Sequence, residues 1–152
     1  MMRAQENLIH NKKRTDVPQD YKPSETEKYM NPLQLEYFRQ KLVGWKNELL
    51  TESRQTIEHL SEENWQETDL NDRASLETDT TLELRTRDRY RKLLDKIDGA
   101  LEKVDSGEYG YCEETGDEIG IRRLEARPIA ALTVEAQERH ENYERLHSED
   151  DD

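Results

Sequence analysis

Cys112-Glu-Glu-Thr115 is followed, after seventeen residues, by Thr133-Val-Glu-Ala136. The spacing x2, x17, x2 with four cysteines is a strong signal for a structural zinc site. Only Cys112 has a zinc-binding side chain. Threonine hydroxyls are poor zinc ligands and Ala136 is none, so no zinc is expected at Cys112, Thr115, Thr133 and Ala136. His140 and His147 on the following segment do not complete the set. Cys112 is expected to be a small buried residue rather than a reactive thiol.

Two charged groupings offer other chemistry. Asp69-Leu-Asn-Asp72-Arg-Ala74 lies in a stretch, 62–79, with seven acidic residues and one basic. A turn with Asp72 as helix N-cap accounts for these residues without any function. The alternative is a charged probe carried at the end of a rod. The second grouping is basic: Arg122, Arg123 and Arg127, with Arg91, Lys92 and Lys96 upstream. Scattered surface charge explains it, or convergent Lys and Arg side chains that hold a polyphosphate. No nucleophile and base pairing and no Gly-rich phosphate loop is present, so no catalytic residue is assigned.

Two long helices must position these groups. Asn31-Pro32 is a helix start, and Leu35, Phe38, Leu42, Trp45 and Leu49 then alternate spacings of three and four. The register drifts beyond them toward Asn64, and residues 65–74 break the pattern. A second seam runs Leu76, Thr80, Glu83, Arg87, Tyr90, Leu94, Ile97, Leu101, Val104 and stops at Ser106-Gly107. Helices joined by a short turn are antiparallel neighbours. Folding near residue 70 sets Trp45 against Ile97 and Leu49 against Leu93 or Leu94, and lets Glu52 pair with Arg87 or Arg89. Each helix of about 32 residues spans about 48 Å. The seam is apolar at the base and polar toward the turn.

The organisation expected is a flexible arm over 1–30, partly docked on the base; a coiled-coil hairpin over 31–107 with its tip at 65–75; a small zinc-finger-like knuckle over 108–132; a helix over 133–147; and an acidic tail over 148–152. The fold class is mainly α. Composition agrees with elongation. Of 152 residues, 39% are charged and 32% hydrophobic, a balance near that of disordered chains. Yet Ala, Glu, Lys, Leu and Arg together approach half of the chain, as in long helices. The net charge of −13 argues against broad binding to nucleic acid and for a basic protein partner. There is no apolar run long enough for a membrane span. One cysteine and no secretory signal predict a cytoplasmic protein.

Tyr29-Met-Asn31, Asp69-x-x-Asp72-x-Ala74, Leu82-Glu-Leu-Arg-x-Arg-Asp-Arg89, Gly110-Tyr-Cys112 and Glu118-Ile-Gly-Ile-Arg-Arg-Leu-Glu-Ala-Arg-Pro128 resemble the DksA/TraR family over about residues 28–137. The resemblance implies a coiled-coil hairpin on a small base. It implies a non-enzymatic transcription regulator that binds RNA polymerase, enters its secondary channel and, with the nucleotide ppGpp, modulates open-complex stability at ribosomal RNA promoters in the stringent response. It further implies that Asp69, Asp72 and Ala74 act near the polymerase active site, that Arg89 contacts polymerase, and that Leu93, Lys96 and Arg127 contact ppGpp. Gln137 stands where the family usually has a lysine contacting the nucleotide. The reduced knuckle resembles the zinc-independent branch of the family, with no cofactor, and the chain is expected to be a monomer. A Gre-like transcript-cleavage factor, in which tip carboxylates help hold Mg²⁺, and an acidic coiled-coil adaptor are the alternatives.

Overall fold

The computed structural model describes residues 14–67 and 73–149. Among the described residues there are four helices: α1 (Pro32–Glu67), α2 (Arg73–Ser106), α3 (Ile121–Ala126) and α4 (Val134–Glu149). No helix among the described residues is long and apolar enough to cross a membrane.

The helix starts and stops follow from local chemistry. Asn31 caps α1 by accepting the Gln34 N–H at 2.9 Å, and Pro32 follows at the first helical position, where no N–H is needed. Gln34 is fully buried. Its side chain accepts the Met30 N–H at 2.8 Å and donates to the Ser24 carbonyl at 3.1 Å, so the buried amide has partners on both sides. At the other end Gly107 adopts φ 81°. Its N–H bonds the Val104 carbonyl and the Glu108 N–H bonds the Lys103 carbonyl. That pair of bonds is the Schellman arrangement that satisfies the last carbonyls of α2.

α1 and α2 pack as an antiparallel hairpin. Its crossing contacts run from Lys46–Asp98 (2.6 Å) through Tyr90–Glu52 (3.2 Å) to Ser61–Glu83 (2.8 Å). At 1.5 Å per residue the helices are about 50 Å long. Phe38, Leu42 and Leu49 from α1 and Ile97 and Ala100 from α2 are buried at the base end. They join Met30, Tyr109, Ile119, Ile121, Leu124 and Ala136 in one core.

Farther out the seam is polar, and it differs from the expected one. Thr86 is buried while Arg87 and Thr80 face solvent. Thr86 satisfies its hydroxyl on the Leu82 carbonyl at 2.9 Å and so can be buried, whereas inward placement of Arg87 would strip water from a cation. Arg87 instead pairs along its own helix with Glu83 at 3.0 Å. Glu52 accepts from the Tyr90 hydroxyl rather than pairing with Arg87 or Arg89. The helices also persist through 65–67 and resume at 73. Loss of the apolar repeat did not end them, because helix propensity continues where the seam no longer needs burial.

The knuckle is built on one antiparallel bridge, Tyr111 to Glu118. The Cys112 N–H bonds the Asp117 carbonyl at 2.7 Å and the Ile119 N–H bonds the Gly110 carbonyl at 2.8 Å. The Tyr29 hydroxyl ties the preceding arm to it, donating to the Gly110 carbonyl at 2.6 Å and accepting from the Gly120 N–H at 3.0 Å. Gly110 sits at φ 91°, and a Cβ there would lie 2.9 Å from Met30 Cγ. Both facts require glycine.

Candidate functional site

Asp69 and Asp72 lie outside the described residues, as does the side chain of Ala74. The sites described are therefore at the base.

The first is the position of the degenerate zinc set. Cys112, Thr133 and Ala136 are buried together. Thr133 caps α4: its Oγ1 accepts the Ala136 N–H at 3.2 Å, while its hydroxyl points toward Cys112 Sγ at 3.9 Å. Thr115 Oγ1 accepts the Asp117 N–H at 3.3 Å. Burial pushes the Cys112 thiol up. Hydrogen bonds from the Thr115 hydroxyl and from the N–H groups of Thr133, Thr115 and Glu114 outweigh it and bring the thiol down to about 6. One sulfur, two hydroxyls already engaged and a methyl do not make a four-ligand site. Among the described residues no group of three His, Cys, Asp or Glu side chains converges for a metal. The residues present do not fit zinc.

The second is a cavity of about 470 Å³ between the base of α2, the knuckle and the start of α4. Lys96, Lys103, Arg123, Arg127, Gln137 and His140 face it. α2 supplies Lys96 and Lys103, seven residues apart and so on one face. α3 supplies Arg123, whose Nε donates to the Leu132 carbonyl at 2.9 Å and is thereby held in place. Gln137 and His140 come from one turn of α4. Cations thus gather in a chain that is strongly acidic elsewhere. Lys96 and Arg127 have no ion-pair partner among the described residues, while Lys103 is paired with Glu113. His140 Nε2 lies 3.1 Å from Glu114 Oε2, with Arg139 3.9 Å from the same carboxyl group.

Of the residues singled out from sequence, Lys96, Arg123, Arg127, Gln137 and His140 share this cavity, whereas Arg91, Lys92 and Arg122 do not line it. Leu93 does not line it; it is half-buried and packs on the core. Arg89 is exposed on α2, its guanidinium 5.8 Å from the Tyr90 ring centroid, a cation–π contact. Sequence reasoning missed Lys103 and Glu113. The signal for Lys103 was its heptad spacing from Lys96. Glu113 had none, since its role depends on how the knuckle turns.

Comparison with known proteins gives a consistent result. The family profile described as "DnaK suppressor protein DksA, N-terminal domain" matches residues 34–104, and "Prokaryotic dksA/traR C4-type zinc finger" matches 107–142. The RNA polymerase-binding transcription factor DksA of Caulobacter vibrioides (strain NA1000 / CB15N) is 63% identical over 131 residues, covering 86% of this chain and 92% of that protein. The protein of the same name from Escherichia coli (strain K12) is 48% identical over 115 residues, 76% of each. The solved structure of transcription factor DksA2 from Pseudomonas aeruginosa superposes with a TM-score of 0.64 at 37% identity, covering 93% of this chain and 98% of that one.

Proposed function

The chain belongs to the DksA/TraR family, and from that premise we propose that it is a transcription regulator that binds RNA polymerase directly. The observation that carries this is the stalk. Among the described residues, two helices of 36 and 34 residues bury apolar side chains from the base out to Leu49 and Tyr90 at their midpoints, so the outer half of the hairpin is a narrow pair of helices. A body of that shape enters the secondary channel of polymerase, where a globular one does not. Asp69, Asp72 and Ala74 at its end act beside the active site, and Arg89 contacts polymerase from the flank of α2. The chain is not an enzyme. It shifts an equilibrium between polymerase states by binding them unequally, and thereby destabilises short-lived open complexes.

The base cavity supplies the second part of the proposal. Lys96 and Arg127 are unpaired cations aimed at one space, the arrangement that suits the phosphates of ppGpp. Leu93 supports the α2 segment from behind. The knuckle functions without zinc, and the regulator acts as a monomer without reading a DNA sequence.

Transcription from a ribosomal RNA promoter with purified polymerase, with and without ppGpp, tests this. Wild type lowers transcript yield, more strongly with ppGpp. Asp72→Asn competes with wild type for polymerase yet fails to inhibit. Inhibition by Asp72→Asn equal to wild type overturns the assignment of the tip. Shortening of RNA in a backtracked complex would make the chain a cleavage factor instead.

A further inference from the structure

The Glu113–Lys103 ion pair lines the base cavity and joins the knuckle to the end of α2. Lys103 is the more enclosed partner, with its side chain 26% exposed, whereas that of Glu113 is 56% exposed. The carboxylate can therefore swing into water while the ammonium stays facing the cavity. Glu113 is also fixed at its root. Its N–H bonds the Ala131 carbonyl at 2.9 Å, and the Gly116 N–H closes the turn on the Cys112 carbonyl at 2.9 Å. The turn that carries Cys112 and Thr115 thus delivers a carboxylate to a cation seven residues along α2 from Lys96.

We propose that Glu113 is a built-in counter-anion of the base cavity, displaced from Lys103 when a compact polyanion binds, and that it sets both the affinity and the charge selectivity of the site. The inference rests on the assignment of this cavity to a polyphosphate ligand. A tethered carboxylate competes at high effective concentration. A single phosphate gains one contact with Lys103 only by giving up the one Glu113 already makes, so it exchanges like for like. A ligand with two or more adjacent phosphates bridges Lys103, Lys96 and Arg127 together and gains the unpaired cations as well. Glu113 thus denies a single phosphate any net gain at Lys103, and so favours a nucleoside polyphosphate long enough to reach all three cations. His140, 3.1 Å from Glu114 on the same turn, also lines the cavity, beside the uncharged Gln137.

The test measures binding of ppGpp, inorganic pyrophosphate and inorganic phosphate to the full chain in complex with RNA polymerase, after subtracting binding to polymerase alone. Wild type is compared with Glu113→Gln, Lys103→Gln, their double variant and Lys96→Ala. Because the pair is partly exposed, Glu113→Gln should tighten ppGpp by about two- to fivefold and tighten inorganic phosphate by at least as much, narrowing selectivity. The double variant should lose that gain. If Glu113→Gln binds every probe as wild type does while Lys96→Ala weakens ppGpp, the counter-anion inference fails and the cavity assignment stands. If no variant binds beyond polymerase alone, both fail.

Discussion

Replacing Thr133 by valine keeps the volume of a buried side chain and removes only its hydroxyl. That hydroxyl accepts the Ala136 N–H at 3.2 Å as the N-cap of α4 and points toward Cys112 Sγ at 3.9 Å. Loss of an N-cap costs about 1 kcal/mol. The Ala136 N–H is enclosed with the rest of its residue, so water cannot replace the lost acceptor, and an orphaned buried donor costs about 1–3 kcal/mol. The two figures describe the same bond and overlap. At 3.9 Å the sulfur contact adds only tenths. The expected destabilisation is about 2 kcal/mol, or about 4–8 °C in Tm for a chain of this size. Urea denaturation followed by circular dichroism measures it, with Thr133→Ser, which retains the hydroxyl, falling within about 1 kcal/mol of wild type. A valine variant that melts with wild type, or a serine variant that loses as much as valine, would refute the claim that this hydroxyl braces the knuckle.

The remaining predictions concern the stalk and the metal. Tyr90→Phe deletes a hydroxyl that donates toward Glu52 at 3.2 Å and Thr56 at 3.3 Å but leaves the buried ring. It should cost about 1 kcal/mol, and amide hydrogen exchange should rise in the outer stalk more than at the base. Glu36 is buried, and the Arg39 side chain bonded to it holds its carboxyl below the usual range against the opposing effect of burial. Its contribution is therefore present above the carboxylate's ordinary range and is lost as pH falls through the depressed folded value. Stability measured from pH 6 to 3 should decline less steeply in Glu36→Gln. Dialysis against EDTA should leave the urea midpoint of wild type unchanged. The triple variant Thr115→Cys/Thr133→Cys/Ala136→Cys should become zinc-dependent in the same melt, and failure to gain any dependence would show that the turn no longer has the geometry of a metal site.

The hairpin was legible because its base repeats large apolar residues at helical spacing: Phe38, Leu42 and Leu49 on one helix, Tyr90 and Ile97 on the other. Asn31-Pro32 and Gly107 were legible for an equally local reason, since a cap or a left-handed stop is decided by the residue itself. The outer seam was not. Where Thr, Glu and Arg compete for inward positions no apolar signal distinguishes them, and Thr86 took the place expected of Arg87 by bonding its own helix. α3, six residues long, is too short to show a period. The Tyr29 staple joins residues 81 apart in sequence, and the cationic cavity depends on three elements meeting. Such features exist only once the chain is folded.

The knuckle explains how a four-ligand motif can lose its ligands and keep its place in the fold. A structural zinc fixes two turns against each other by holding four atoms at once. Here Cys112 remains, and the other three positions each carry a local device. Thr133 caps α4 and points its hydroxyl at the sulfur; Thr115 holds the Asp117 N–H; Ala136 has no exposed surface and packs inward; Cys112 collects the donors of the neighbouring turn. None of these alone brings the two turns together over the intervening residues. That task falls to side chains outside the motif. Tyr109 packs on Phe38 with ring centroids 5.6 Å apart and bonds the Pro128 carbonyl at 2.7 Å, Leu124 is wholly buried, and Tyr29 clasps Gly110 and Gly120. The stalk's own first core layer therefore braces the foot. Substitutions at Phe38 or Tyr29 should loosen the knuckle as much as substitutions within it, an outcome a metal-held knuckle would resist.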